Sequence, residues 1–275
     1  MRIDAHQHFW RIKRNDYGWL TPELTTLYKD FEPDDLTPLL NRHNVDGTIL
    51  VQAAPTEAET LFLLQLSEQY ESIKGVVGWV DFDNLNAPKS IVKLSKHPKL
   101  VGIRPMIQDI EDIDWMLSPA VSNTLQSLSQ HQLVFDALVK PQHLKNLKLL
   151  IDQHRNLKVV INHGAKPNIK ENKLHQWRSD LSAFRDLPNV SCKLSGLVTE
   201  ASNDWQAKDL FPYIDTIFDV FGEQRVLWGS DWPVSLLASS YTKWFDTVER
   251  YLTQNNLSKA RVFGGNAVST YKLKK

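Results

Sequence analysis

A chain of 275 residues with 42% hydrophobic and 23% charged residues is long enough to bury a large core, and that composition excludes a disordered chain. Lys+Arg and Asp+Glu both number 32, so no net field favours nucleic acid or an anionic membrane, and a small molecule is the expected partner. Cys192 is the lone cysteine, which excludes an intrachain disulfide; with no leader-like segment and no apolar run near ~20 residues, the cytoplasm is the expected compartment.

The first predicted strand covers residues 3–8 and reads Asp4-Ala-His6-Gln-His8 through its polar part. Residues two apart share a strand face, so Asp4, His6 and His8 are expected to point together, and two imidazoles on one face can chelate a metal. A longer connection, 11–35, follows and is expected over the mouth of the fold, where Tyr17, Trp19 and Tyr28 either line a pocket or pack as a cap. Further β-rich runs recur at 47–52, 75–80, 101–104, 133–138, 158–162, 190–194 and 226–228. Between them helical spacing predicts helices over 57–70, 87–96, 119–131, 141–154, 174–185, 210–221 and 241–252, with Pro141 placed as a first-turn proline. Eight β/α units with no Gly/Ser-rich linker predict a single (β/α)8 barrel, a TIM barrel spanning 1–275. A doubly wound sheet is disfavoured because no Gly-X-Gly follows the first strand.

In such a barrel the active site lies at the C-terminal ends of the strands, and several predicted strands end in reactive residues. His6 and His8 end the first, Arg104 the fourth, Asn162-His163 the sixth, Lys193 and Ser195 the seventh; Asp231 follows the eighth in Gly-Ser-Asp-Trp-Pro. Asp81 follows the third and Asp136 lies in the fifth. Barrel closure sets the first and eighth strands side by side, so His6, His8, His163 and Asp231 form a candidate shell for one divalent metal, Zn2+ before others. Asp231 is the candidate general base and Arg104 a candidate donor to a substrate carbonyl or hydroxyls. Lys193 has two readings, a substrate contact or an ion pair with Asp81 or Asp136. Trp10 and Trp232 likewise either offer ring faces to a substrate or close the barrel end.

The strings Asp4-Ala-His-Gln-His-Phe-Trp10, Gly102-Ile-Arg-Pro105, Cys192-Lys-Leu-Ser-Gly196, Gly229-Ser-Asp-Trp-Pro233 and Phe263-Gly-Gly-Asn266 resemble the amidohydrolase superfamily, specifically its sugar-lactonase branch, typified by L-fuconolactonase and L-rhamnonolactonase. The resemblance runs from residue 1 to about 271 and implies hydrolysis of a sugar lactone to its aldonic acid. In that reading Asp231 activates water, while His6, His8 and His163 hold a metal or act directly as electrophilic donors, the branch including metal-independent hydrolysis. The chain departs from the superfamily's two-metal pattern, because the fifth strand carries no histidine and the fourth ends in Arg104, so a second metal is not implied. A decarboxylase of the same superfamily and a non-catalytic sugar-binding barrel are the alternatives.

Overall fold

Parallel strands covered on both faces read as nearly unbroken apolar runs, and eight such runs in this chain become strands. In a computed structural model, which describes residues 1–274, they are β1 (Ile3–Gln7), β2 (Gly47–Val51), β3 (Ile73–Gly78), β4 (Leu100–Ile103), β5 (Val134–Ala137), β6 (Val159–Ile161), β7 (Val190–Leu194) and β8 (Val226–Trp228). All neighbouring pairs are parallel and follow sequence order. The helices are α1 (Pro33–Arg42), α2 (Glu57–Gln69), α3 (Ala87–Leu94), α4 (Pro119–Gln130), α5 (Leu144–Gln153), α6 (Leu174–Ser182), α7 (Ala207–Phe221), α8 (Tyr241–Gln254) and α9 (Asn266–Thr270). The chain is thus the expected (β/α)8 barrel, and no helix among the described residues is long and apolar enough to cross a membrane.

Local chemistry starts the helices where they start. Thr56, Ser118 and Ser240 cap α2, α4 and α8 by accepting the N–H of Glu59, Val121 and Lys243, which satisfies donors that a helix leaves open. Pro141 opens a single 3-10 turn, and the helix itself begins at Leu144. Two helices fall outside the sequence expectation. Pro33 and a Glu32–Asp35 capping box start α1 inside the stretch read as connection, and α9 follows a distorted turn at Arg261–Gly265.

Side chains pack in two shells. The larger lies between strands and helices. The smaller fills the barrel, where Ile3, Ala5, Val51, Val77, Val134 and Val160 meet, and Ala267, Tyr271 and Leu273 of the C-terminal segment close it from the N-terminal end of the strands.

The ring closes at the end of the barrel where the reactive residues lie. Asp231 N–H donates to His6 O and His8 N–H to Trp232 O, each at 2.8 Å, and Ser230 N–H donates to Asp4 Oδ1 at 2.8 Å. The β1–β2 register slips by one residue between Asp4 and Gln7. This bulge corrects the expectation that Asp4, His6 and His8 share a face: an extra residue in one strand reverses the alternation downstream of it. Asp4 is spent on the closing seam, whereas His6 and His8 reach Asp231.

Candidate active site

Four predicted residues converge at the C-terminal end of the barrel. Asp231 Oδ1 lies 3.6 Å from His6 Nε2, 3.4 Å from His8 Nε2 and 3.9 Å from His163 Nε2. Both Asp231 and His163 hold left-handed backbone, with φ of 56° and 52°. His163 opens a run of four such residues through Gly164, Ala165 and Lys166, at roughly 1–2 kcal/mol for each non-glycine member. The indole N–H of Trp177 anchors the run by donating to Gly164 O at 2.7 Å. Strain of this kind persists only where surrounding packing enforces it, and here it aims an imidazole and a carboxylate at one point.

Hydrogen bonds outside the cluster orient the rings. His8 Nδ1 faces Val51 O at 2.8 Å, so that nitrogen carries the proton and Nε2 presents a lone pair inward. His163 Nδ1 pairs with Ser195 Oγ at 2.9 Å, leaving its Nε2 for the site. His6 Nε2 is 3.2 Å from His8 Nε2 and 3.4 Å from Arg104 Nη1, while its buried Nδ1 has no partner. Arg104 is fixed by donating from Nε at 3.0 Å and Nη2 at 2.7 Å to Gln52 Oε1, and from Nη2 to Gln52 O. Gln52, just past β2, is a supporting residue that sequence reasoning missed, since a glutamine there carries no signal beyond a polar strand end.

Burial sets the charge states. It drives His6 well below its ordinary pKa, lowers His8, and takes His163 down to about 3, so all three rings are neutral near pH 7. Burial would also raise the Asp231 carboxyl, but its basic surroundings, in which Lys166 is a permanent cation, more than offset that and hold it below the ordinary carboxylate value. Arg104, brought down to about 10 by burial against the pull of Asp136 and Asp231, stays a cation. Ligand atoms of His6, His163 and Asp231 lie within 4.8 Å of one another, and His8 adds a fourth inward nitrogen. Neutral imidazoles and a carboxylate aiming lone pairs at one spot repel each other unless a cation or a proton sits among them, so the donor set fits one divalent ion of borderline softness.

Above the cluster opens a cavity of about 370 Å3 with His8, Arg104, His163 and Asp231 at its base. Trp19, Leu24, Leu138, Val234 and Leu237 supply its apolar wall, and Gln108, Asp109, Lys166, Thr199 and Glu200 its other polar groups. Three residues expected at the substrate are not in that wall. Lys193 is fully buried lower in the barrel, its Nζ on Asp136 Oδ1 at 2.5 Å, which selects the ion-pair reading and Asp136 as the partner. Asp136 also accepts from Asn162 Nδ2 at 2.8 Å and Tyr271 OH at 2.7 Å, and none of Lys193, Asp136 and Tyr271 lines the cavity. Asp81 stands apart, half-buried and accepting the N–H of Asp83. Trp10 and Trp232 pack edge-on against Phe31 at 5.3 and 5.2 Å and form the bed beneath the 11–32 loop. The ring that reaches the cavity from that loop is Trp19, pinned by its N–H to Ala53 O at 2.7 Å, while Tyr17 is buried and Tyr28 exposed.

Comparison with known proteins agrees with this geometry. The family model described as amidohydrolase matches residues 3–273. An L-fucono-1,5-lactonase of Burkholderia ambifaria is 42% identical over 279 residues, covering 99% of this chain and 96% of that protein. One from Burkholderia multivorans is 37% identical over 291 residues, with 99% and 96% covered. A crystal structure of a Burkholderia multivorans amidohydrolase with zinc bound superposes with a TM-score of 0.94 at 36% identity, covering all of both chains.

Proposed function

The chain belongs to the amidohydrolase family, and from that premise we propose that it hydrolyses a sugar lactone to the corresponding aldonic acid. The observation that carries this reading is the Asp231 carboxylate within 3.4–3.9 Å of three inward imidazole nitrogens at the base of a lactone-sized cavity. The L-fucono-1,5-lactonases, which align over nearly all of this chain, support it, and the small-molecule partner is then a neutral hydroxylated lactone.

Asp231, ionised at neutral pH, accepts a proton from water as the water oxygen adds to the lactone carbonyl carbon. The carbonyl oxygen becomes an oxyanion, which the guanidinium of Arg104 stabilises from its fixed seat on Gln52. Collapse re-forms the carbonyl, breaks the bond to the ring oxygen and passes the proton from Asp231 to that oxygen, giving a hydroxy acid that then ionises. His6, His8, His163 and Asp231 would hold one divalent metal, with Zn2+ favoured by the nitrogen-rich set. When bound, such an ion polarises the carbonyl and lowers the pKa of its water.

The test is a panel of aldonolactones followed with a pH indicator, with and without a chelator, on the native chain and on Asp231→Asn. Turnover of at least one lactone is expected, with the variant losing about 100- to 10000-fold in kcat. Failure on every lactone, or near-normal turnover by folded Asp231→Asn, would overturn the reading.

A further inference from the structure

The chemistry above leaves one charged pair in the cavity wall unused. Lys166 Nζ lies 3.5 Å from Glu200 Oε1, and both side chains are one-quarter exposed. Both border the cavity that holds Asp231, and both also border a second cavity of about 480 Å3 behind them, so the pair is the partition between the two spaces. An ion pair wetted on both sides contributes little to stability, and the fold does not need this one.

Its placement is nevertheless tightly controlled. Lys166 ends the left-handed run that begins at His163, and its N–H donates to His163 O at 2.9 Å, so the root of its side chain is registered to that of His163. Glu200 is tied to the same loop, because its carbonyl accepts the N–H of Lys170 at 3.0 Å. An ammonium only donates and a carboxylate only accepts, whereas a hydroxyl does both. Adjacent hydroxyls entering between them accept from Lys166 and donate to Glu200, exchanging one loose ion pair for two charge-assisted hydrogen bonds. Leu24, Val234 and Leu237, which line the same cavity, offer nothing to a hydroxyl.

We propose that Lys166 and Glu200 form a hydroxyl-reading subsite that selects polyhydroxylated lactones over bare ones and distinguishes epimers at the hydroxyls they touch. The proposal rests on the lactonase reading of the same cavity. Its experiment compares the native chain, Lys166→Met, Glu200→Gln and the exchanged pair Lys166→Glu/Glu200→Lys on the best aldonolactone, its epimers and unsubstituted δ-valerolactone. Each single variant is expected to lower the ratio of kcat/KM for the aldonolactone to that for δ-valerolactone about 10- to 100-fold, chiefly through KM, and to flatten the preference among epimers. The exchanged pair regains the ion pair but is expected not to regain the ratio.

Loss of equal size on both substrates would overturn the proposal, as an electrostatic effect on Asp231 alone. Recovery of the ratio by the exchanged pair would overturn it as a structural ion pair. If the native chain hydrolyses aldonolactones and the ratio stays put, only the subsite falls. If it hydrolyses δ-valerolactone and no aldonolactone, the sugar reading falls with it.

Discussion

At the scale of single residues, the site depends on atoms that are absent as much as on those present. Gly196 has φ of +62°, and a Cβ built there would lie 2.4 Å from His163 Nδ1, inside the ring that Ser195 orients. Gly196→Ala is therefore expected to push His163 out of line and lower kcat/KM about 100-fold or more, with the chain still folded by circular dichroism. Ser195→Ala removes only the partner of Nδ1, and a loss of about 10- to 100-fold is expected in the same assay; equal effects of the two would contradict the steric argument. Asp231→Asn is a clean chemical test because asparagine tolerates the left-handed φ that Asp231 holds. His6, His8, His163, Arg104 and Asp231 were legible in the sequence, since strand ends in a barrel share one rim. Gln52, Lys166 and Glu200 were not. Each is an ordinary polar residue whose meaning comes from the loop that carries it, and Lys193 stayed between two readings because nothing in a sequence says how deep in the barrel a strand residue sits.

Among the elements, the loop between β1 and α1 is held to the barrel through α2. Glu59, in the first turn of α2, accepts the N–H of Ala53 at 2.9 Å and of Ala54 at 2.7 Å, and Ala53 in turn accepts the Trp19 indole. Burial pushes the Glu59 carboxyl up to about 8, against the pull of the two amides. A carboxyl whose folded pKa exceeds its unfolded value favours the folded state while protonated. Its stabilisation is complete below the unfolded pKa of about 4.3 and is lost as pH rises through 8. The stability of the native chain relative to Glu59→Gln should accordingly fall between pH 5 and pH 9, read from thermal midpoints of both proteins; a difference constant with pH would refute this. The strands and most helices were legible because buried parallel strands are apolar runs and helices alternate with them. The β1 bulge was not, since a one-residue slip leaves the composition of the strand unchanged, and α1 was missed because Pro33 and Pro38 break up a helical pattern only ten residues long.

For the whole molecule, a polar column inside the barrel joins the C-terminal segment to the catalytic end. Tyr271 donates to Asp136, Asp136 holds Lys193 and Asn162, and Arg104 Nη1 reaches Asn162 Oδ1 at 3.5 Å and His6 at 3.4 Å. Lys193→Met leaves the Asp136 carboxylate buried without its cation and should cost about 3–5 kcal/mol. Tyr271→Phe removes one neutral donor and should cost about 1–3 kcal/mol. Denaturant unfolding measures both, and a Lys193→Met variant as stable as the native chain would show that the pair is not charged in the fold. The barrel class was legible from the count of β/α units, but this column was not, because its six members lie on six separate parts of the chain with no common spacing. The seam between β1 and the residues after β8 joins groups 226 positions apart, so Asp231 meets His6 only when the ring is complete. Drawing together ends that distant costs about 5 kcal/mol of chain entropy and belongs to the late steps of folding. Enzymatic activity is therefore a clock for ring closure. During refolding from denaturant, lactone turnover should appear after the helical circular dichroism signal has recovered, and a nascent chain still lacking its eighth strand carries the three histidines without their base.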